Sequence, residues 1–340
     1  MTQCNVISMS GGKDSTATAL KAIEDKAENI RFVFSDTGHE HQITYDHVDY
    51  LDNKLRSICG VGIDVVRADF TENIINKREK LITHFMDIES GLDGNAQLKG
   101  FTRDILERMI EAIKPTGNPF LDLCIWKGRF PSTRARFCSE ELKHKPIAEY
   151  QFNLSNDFNA VISWQGVRRD ESLARANLIE KDIEFGSWEP EPSGMLIYRP
   201  ILEWKAIDTF EIAKRFGIEP NPLYKMGMGR VGCMPCIHAT KQEVRGIESR
   251  FPEVVERVKW MEKVVSWASK RECSTFMDAR VTCKYLGTGK TVNDIKYQTH
   301  GFGTYVEYAR TEHGGRQQSL IAAIDLDQPQ QCSSIYGLCE

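Results

Sequence analysis

Ser10-Gly11-Gly12-Lys13-Asp14-Ser15 places two glycines, a cation and two hydroxyls between an apolar run and a helical pattern. In that setting the N–H groups of the turn and of the helix N-terminus converge on an anion, and Lys13 adds charge, so the chemistry is phosphate binding. The glycines stand closer together than in the ATPase P-loop. A tight turn capped by Ser10 or Asp14 would use the same residues without a ligand; the lysine and serine at the helix entrance favour the phosphate.

A second group is built from sulfur. Of ten cysteines, Cys233 and Cys236 form a C-x-x-C, Cys332 and Cys339 a looser C-terminal pair, and Cys138 lies among bases that favour its thiolate. A C-x-x-C turn aims two sulfurs at one centre. Cys138, Cys233 and Cys236 are therefore candidate ligands of a soft metal, with tetrahedral Zn²⁺ and dithiol exchange as alternatives. Cys124, Cys283, Cys332 and Cys339 are candidates for a fourth ligand. A third group is cationic: Arg168, Arg169 and Arg175 follow Gly166, and a planar guanidinium suits phosphate, with Arg168 preferred. Asp36, in an Asp-Thr-Gly turn, has the chemistry for Mg²⁺ or a ribose hydroxyl.

The elements that must carry these groups alternate. Residues 4–9, 30–34, 63–66 and 159–164 read as strands. Helical stripes follow at Ala17, Leu20, Ile23 and Ala27, and at Ile43, Val48, Leu51, Leu55 and Ile58, with further helices over residues 206–216 and 252–268. Parallel neighbours need crossover connections, so the expected fold is α/β, a parallel twisted sheet with helices on both faces. Its ligands bind beyond the carboxyl ends of the strands, where Ser10, Gly11, Gly12 and Asp36 fall. Residues 90–130, rich in Gly and Pro, read as an insertion or lid. The domain reading is 1–240 for nucleotide binding and 241–340 for a mainly helical C-terminal region with a cysteine-containing tail.

With 340 residues, 41% hydrophobic and 27% charged, the chain has the composition of a soluble globular protein rather than a disordered or fibrous one. The formal charge is −4, from 44 basic and 48 acidic residues, so any nucleic-acid binding must use a local basic patch such as 127–136 or 143–145. No run approaches the roughly eighteen apolar residues of a membrane span. The N-terminus has no signal-peptide pattern, and a cytoplasmic enzyme is expected.

Residues 10–15 resemble the PP-loop of the ATP pyrophosphatase (adenine nucleotide alpha hydrolase-like) superfamily. Asp36-Thr37-Gly38-His39-Glu40, Gly166-Val167-Arg168-Arg169-Asp170-Glu171-Ser172 with Arg175, and Asn221-Pro222-Leu223-Tyr224 through Gly232-Cys233 resemble the phosphoadenosine phosphosulfate (PAPS) reductase family. The resemblance spans about residues 4–240. It implies ATP and Mg²⁺ as ligands, cleavage of ATP to AMP and pyrophosphate, and adenylation of a substrate, with Lys13, Asp14 and Arg168 as catalytic residues. Ser10, Gly11, Gly12, Ser15, Asp36 and Gly166 would complete the nucleotide site.

In iron-sulfur members a cysteine before Leu-Lys-x-x-Pro joins a later C-x-x-C. Cys138, Cys233 and Cys236 match this, which implies a 4Fe-4S cluster, as in the DNA phosphorothioation and tRNA thiolation branches. Expected partners are a sulfur acceptor of nucleic-acid or small-molecule class, a sulfur-donor protein and a second copy of the chain. Two alternatives stand: a sulfonucleotide reductase, and a nucleotide-binding subunit without turnover. PAPS reductases carry a C-terminal Glu-Cys-Gly-Leu-His segment; here the order is Gly337-Leu338-Cys339-Glu340, which does not match. The Lys-Asp pair that reductases commonly alter is kept, which favours ATP cleavage.

Overall fold

The computed structural model describes residues 2–91, 98, 100–289, 291, 294–312, 336 and 338. The first third alternates as expected: β1 (Gln3–Met9), α1 (Lys13–Glu24), β2 (Ile30–Asp36), α2 (Gln42–Cys59) and β3 (Ile63–Arg67). Next come α3 (Thr71–Glu89), α4 (Arg103–Ala112), α5 (Pro119–Lys127), the short α6 (Phe137–Ser139), a π-helical turn at Glu140–His144, and α7 (Lys145–Leu154). The chain returns to the sheet as β4 (Ala160–Trp164), β5 (Lys181–Ser187) and β6 (Ser193–Tyr198), then becomes helical: α8 (Ala206–Arg215), α9 (Lys241–Arg250), α10 (Pro252–Trp267), α11 (Ala279–Leu286), α12 (Tyr297–His300) and α13 (Phe302–Ala309).

The six strands pair in the order β3-β2-β1-β4-β6-β5, all parallel except the β5–β6 edge pair. Side chains alternate across a strand, so β1 feeds two cores. Cys4 and Val6 pack under α7 with Ile147, Tyr150 and Leu154, while Ile7 and Met9 meet Leu20, Val48, Leu51 and Ile212 of α1, α2 and α8. The sheet is thus covered on both faces. β2 carries the same alternation, Val33 on one side and Phe32 and Phe34 on the other, which fixes the strand register to within one residue.

A larger apolar core lies in the helical part. Leu106 and Met109 of α4, Ile113 just after it, and Phe120, Leu121 and Ile125 of α5 pack with Val244 of α9, Val254, Val258 and Val265 of α10, and Phe302 and Val306 of α13. The stretch 103–127 and the helices beyond 241 therefore share one core. Local signals set the ends of these helices. The Thr102 and Asn118 side chains accept the N–H groups of Ile105 and Leu121, Pro119 opens α5, and Gly128 closes it at φ 65°. No helix among the described residues is long and apolar enough to cross a membrane.

Candidate active site

β1 ends at Met9 and α1 begins at Lys13, so the turn between them sits at the carboxyl edge of a central strand. Gly11 adopts φ 69°, a left-handed conformation that glycine takes without strain. The turn is locked from within: the Ser15 hydroxyl donates to the Gly12 carbonyl at 3.0 Å and accepts the Ser10 N–H at 3.1 Å. From outside, the Asn221 amide donates to the Gly11 carbonyl at 3.1 Å, and the Lys13 N–H donates to the Tyr224 hydroxyl at 2.9 Å. Tyr224 thus occupies one of the first-turn amides that a helix leaves without an internal partner.

The charged groups here form a chain. Lys13 Nζ lies 3.0 Å from Asp14 Oδ2, Asp14 Oδ1 accepts from Arg168 Nε at 2.5 Å, and Arg168 Nη1 reaches both oxygens of Asp170 at 2.6 and 2.7 Å. Arg168 is buried, and Asp14 followed by Asp170 keeps it protonated against desolvation. It holds the first turn of α1 against the loop after β4. Gly166 permits that approach: a Cβ there would stand 2.8 Å from the Asp14 carbonyl oxygen.

The cradle opens on a cavity of about 780 Å³. Lys13, Asp14, Ser10, Gly12 and Ser15 line it, as do Arg175, Arg230, Lys143 and the carboxylates Glu40, Glu171 and Glu184. Arg168 and Asp36 are not among its lining residues. Asp36 instead accepts the Gly38 N–H and the Tyr45 hydroxyl, both at 2.8 Å, and stands 3.5 Å from Arg67. Its carboxylate shapes the turn that delivers Glu40. Arg169 pairs with Glu203, and Arg175, at the cavity wall, with Glu171. Deeper in the cavity are Phe34, Met9, Ile147 and Gln151, and Gln151 Nε2 is buried with no hydrogen-bond partner among the described residues.

A smaller cavity of about 100 Å³ adjoins it, sharing Lys143, Arg230, Val231 and Gly232, and contains Cys233 and Cys236. The C-x-x-C turn is clamped: the Met234 N–H donates to the His39 carbonyl at 2.8 Å, His39 Nε2 to the Pro235 carbonyl at 3.0 Å, and Arg257 to the Met234 carbonyl at 2.5 Å. Burial pushes His39 down to about 3, so its ring is neutral. The Cys233 thiol faces Glu40 Oε1 at 3.5 Å, and the Thr37 hydroxyl donates to the same carboxylate. Lys143 arrives on the π-helical turn, which the Ser35 hydroxyl ties to β2 through the Leu142 carbonyl at 2.5 Å.

Burial pushes Cys233 up to about 12, opposed by Lys143 and reinforced by Glu40. Burial also raises Cys138, with Cys236 adding to it. Lys143 is held above the usual lysine value by Cys233, then by Glu40, Cys236 and Cys138, against desolvation. The three cysteines named from the sequence thus act electrostatically on one ammonium, and two of them, Cys233 and Cys236, line the small cavity with it. Among the described residues, no group of three or more His, Cys, Asp or Glu side chains is arranged to hold a metal ion. Of the candidates for a fourth ligand, Cys124 is buried and its thiol is raised by burial and by Cys138, Cys283 is buried in α11, and Cys332 and Cys339 lie outside the described residues.

Sequence reasoning identified the cradle, Arg175 and the cysteines. It assigned no role to Arg230, Gln151 or the Tyr224 hydroxyl, and Lys143 entered it in the Leu-Lys-x-x-Pro segment after Cys138 and in a basic run, without a role of its own. Their function depends on neighbours far away in the chain, and no spacing announces it.

Residues 4–239 match the phosphoadenosine phosphosulfate reductase domain. The chain belongs to this family. Similarity extends along 99% of the chain to an uncharacterized 37.8 kDa protein of Escherichia phage 186, 42% identical and covered over 96% of its length. An adenosine 5'-phosphosulfate reductase of Burkholderia cepacia is 33% identical over 76 residues, 22% of this chain and 28% of that one. A PAPS reductase from Candida auris, solved as a phosphate complex, covers 69% of this chain and 82% of its own, with a TM-score of 0.36 and 16% identity. Family membership makes this a nucleotide-binding domain of sulfur metabolism and suggests an enzyme.

Proposed function

We propose that the protein binds ATP with Mg²⁺, cleaves it to AMP and pyrophosphate, and adenylates a substrate that then accepts sulfur. The observation that carries this reading is the locked β1–α1 cradle, with Lys13 and Ser15 at its mouth, opening on a cavity walled by Arg175 and Arg230. Lys13 and the two arginines neutralise the departing β and γ phosphates. Catalysis is then largely positioning and charge stabilisation, because the donors are fixed before the substrate arrives. Mg²⁺ supplies further neutralisation, and Asp14, Glu40, Glu171 and Glu184 are the lining carboxylates available to it. Phe34, Met9 and Ile147 offer the base an apolar wall, and the unpartnered Gln151 amide gives it a polar contact.

The cysteine cavity belongs to the same proposal. Cys138, Cys233 and Cys236 have the soft donor chemistry for a 4Fe-4S cluster or Zn²⁺, and Cys233 and Cys236 line one small cavity with Lys143, which supports that assignment. As they stand the three do not close a ligand set, and burial holds the protons on Cys138 and Cys233, so loading requires those protons to leave. A bound cluster would supply a sulfur-binding iron. Sulfonucleotide reduction is the rival reading, favoured by the family and weakened by the intact Lys13-Asp14 pair.

Calorimetry tests the nucleotide site. ATP-Mg²⁺ is expected to bind, and Gln151→Leu to weaken ATP about tenfold, the cost of one lost polar contact, while leaving pyrophosphate binding unchanged. Equal affinity of the variant for ATP would remove the base from this wall.

A further inference from the structure

A second cavity, of about 500 Å³, lies in the helical half, lined by α3, α4, the end of α5 and the turn after α10. Its walls hold six basic side chains and no acidic one among the described residues, in a chain where acids outnumber bases. Two of the six have structural duties. Lys77 donates to the carbonyls of Ile125 and Trp126 at the end of α5, and Lys127 stands 3.3 Å from Glu141. The other four, Lys80, Arg129, Lys270 and Arg271, are exposed and have no carboxylate partner among the described residues. They come from three separate segments, so their charges surround the mouth rather than meeting at one point.

The interior differs in character. Leu81 and Met109 form an apolar floor, and Phe101 presents a ring with the Lys270 ammonium 4.4 Å from its centroid. Several separated cations around an aromatic and apolar interior match a ligand with several phosphates and a flat base between them. A single phosphate would leave most of the cations unused, and an acidic peptide would leave the apolar floor unused. Bases stack on aromatic faces while basic side chains track the backbone, the usual arrangement for single strands.

The geometry points to a single-stranded nucleic acid segment as the ligand of this cavity, its phosphates on Lys80, Arg129, Lys270 and Arg271 and a base against Phe101. The site is distinct from the β1–α1 cradle and shares no lining residue with it. It stands near the sulfur chemistry, because the Arg129 guanidinium lies 5.6 Å from the ring centroid of Phe137, the residue before Cys138. This inference goes beyond the proposed reaction and does not require it.

Fluorescence anisotropy of the full chain without ATP, using labelled twelve-nucleotide oligothymidylate and oligouridylate, tests the proposal. The triple variant Lys80→Ala/Lys270→Ala/Arg271→Ala should weaken binding at least tenfold. It should also lower the slope of log affinity against log salt by about 2, as loss of three phosphate contacts to a single strand requires. Phe101→Ala should weaken binding with the slope unchanged, which separates stacking from charge. Lys13→Ala should bind the oligonucleotide like wild type, so failure of the nucleotide reading leaves this one standing. Three results would overturn it: no oligonucleotide binding by wild type, an equal loss on Lys26→Ala/Lys181→Ala/Lys214→Ala at exposed lysines elsewhere, or complete competition by polyglutamate at the same charge concentration. The last would assign the cavity to an acidic peptide.

Discussion

The sheet half and the helical half treat buried charge differently. Around the cradle, Lys13, Asp14, Arg168 and Asp170 alternate in sign within hydrogen-bonding distance, so each charge is met before a ligand enters. In the helical half burial outweighs counter-charge. Cys233 is pushed up to about 12, and Glu262, whose two oxygens accept the N–H groups of Phe276 and Phe302 at 2.7 and 2.8 Å, is pushed up to about 7. The basic cavity shows the opposite imbalance, cations without acids. The cradle is therefore assembled for one kind of ligand, whereas Cys233 and Glu262 hold their protons and the basic cavity carries four cations without a carboxylate partner among the described residues.

Removing the cradle's cation should have the largest effect. Lys13→Ala is expected to slow ATP turnover by roughly 10²-fold or more, because charge developing on the leaving phosphates loses a fixed partner. Steady-state pyrophosphate release measures it, and an unchanged rate would mean the paired charges serve structure alone. The cysteines offer the matching test in the other half. Anaerobically reconstituted protein should carry iron and sulfide, and Cys138→Ser, Cys233→Ser and Cys236→Ser should each abolish both in elemental analysis. Stoichiometric zinc without iron would establish the structural-metal alternative.

The pH dependence sharpens the comparison. Glu262 binds its proton more tightly folded, at about 7, than unfolded, near 4.5, so its contribution to stability is complete below 4.5 and lost as pH rises through 7. The change amounts to about 3 kcal/mol. Denaturant midpoints across that window should fall with pH in wild type, and the Glu262 component should vanish in Glu262→Gln. A smaller effect is expected at the seam of the sheet half. Gly166→Ala sets a Cβ against the backbone of α1 and should cost about 1–3 kcal/mol, read from urea unfolding.

How much of this was legible beforehand follows the same division. β1, β2, β3 and β4 announce themselves as apolar runs at helix-separated intervals, and residues 10–15 are contiguous, so strand, turn and helix could be read together. β5 and β6 could not. β5 is an edge strand exposed along most of its length, and its pairing with β6 passes through Gly186 and Gly194, which in sequence mark loops. The stretch read as an insertion or lid carries α4 and α5, whose apolar faces find their partners in α3 and in the helices beyond residue 241. At the site, the sequence assigns Arg168 to phosphate, whereas its guanidinium is met by Asp14 and Asp170 and does not line the cavity, because which acid it meets depends on where those two arrive in space. The pairing of Lys143 with Cys233 and Cys236 joins segments some ninety residues apart, and no local pattern encodes it.

The central claim is that the intact cradle cleaves ATP at the α phosphate, and product analysis tests it most directly. Anaerobic protein is incubated with α-labelled ATP or with PAPS and a thiol reductant, in the presence of sulfate, tRNA or DNA as acceptor, and the products are separated. The account predicts AMP and pyrophosphate from ATP with at least one acceptor, lost in Lys13→Ala. Sulfite released from PAPS, surviving Lys13→Ala while ATP stays intact, would contradict it and establish the reductase.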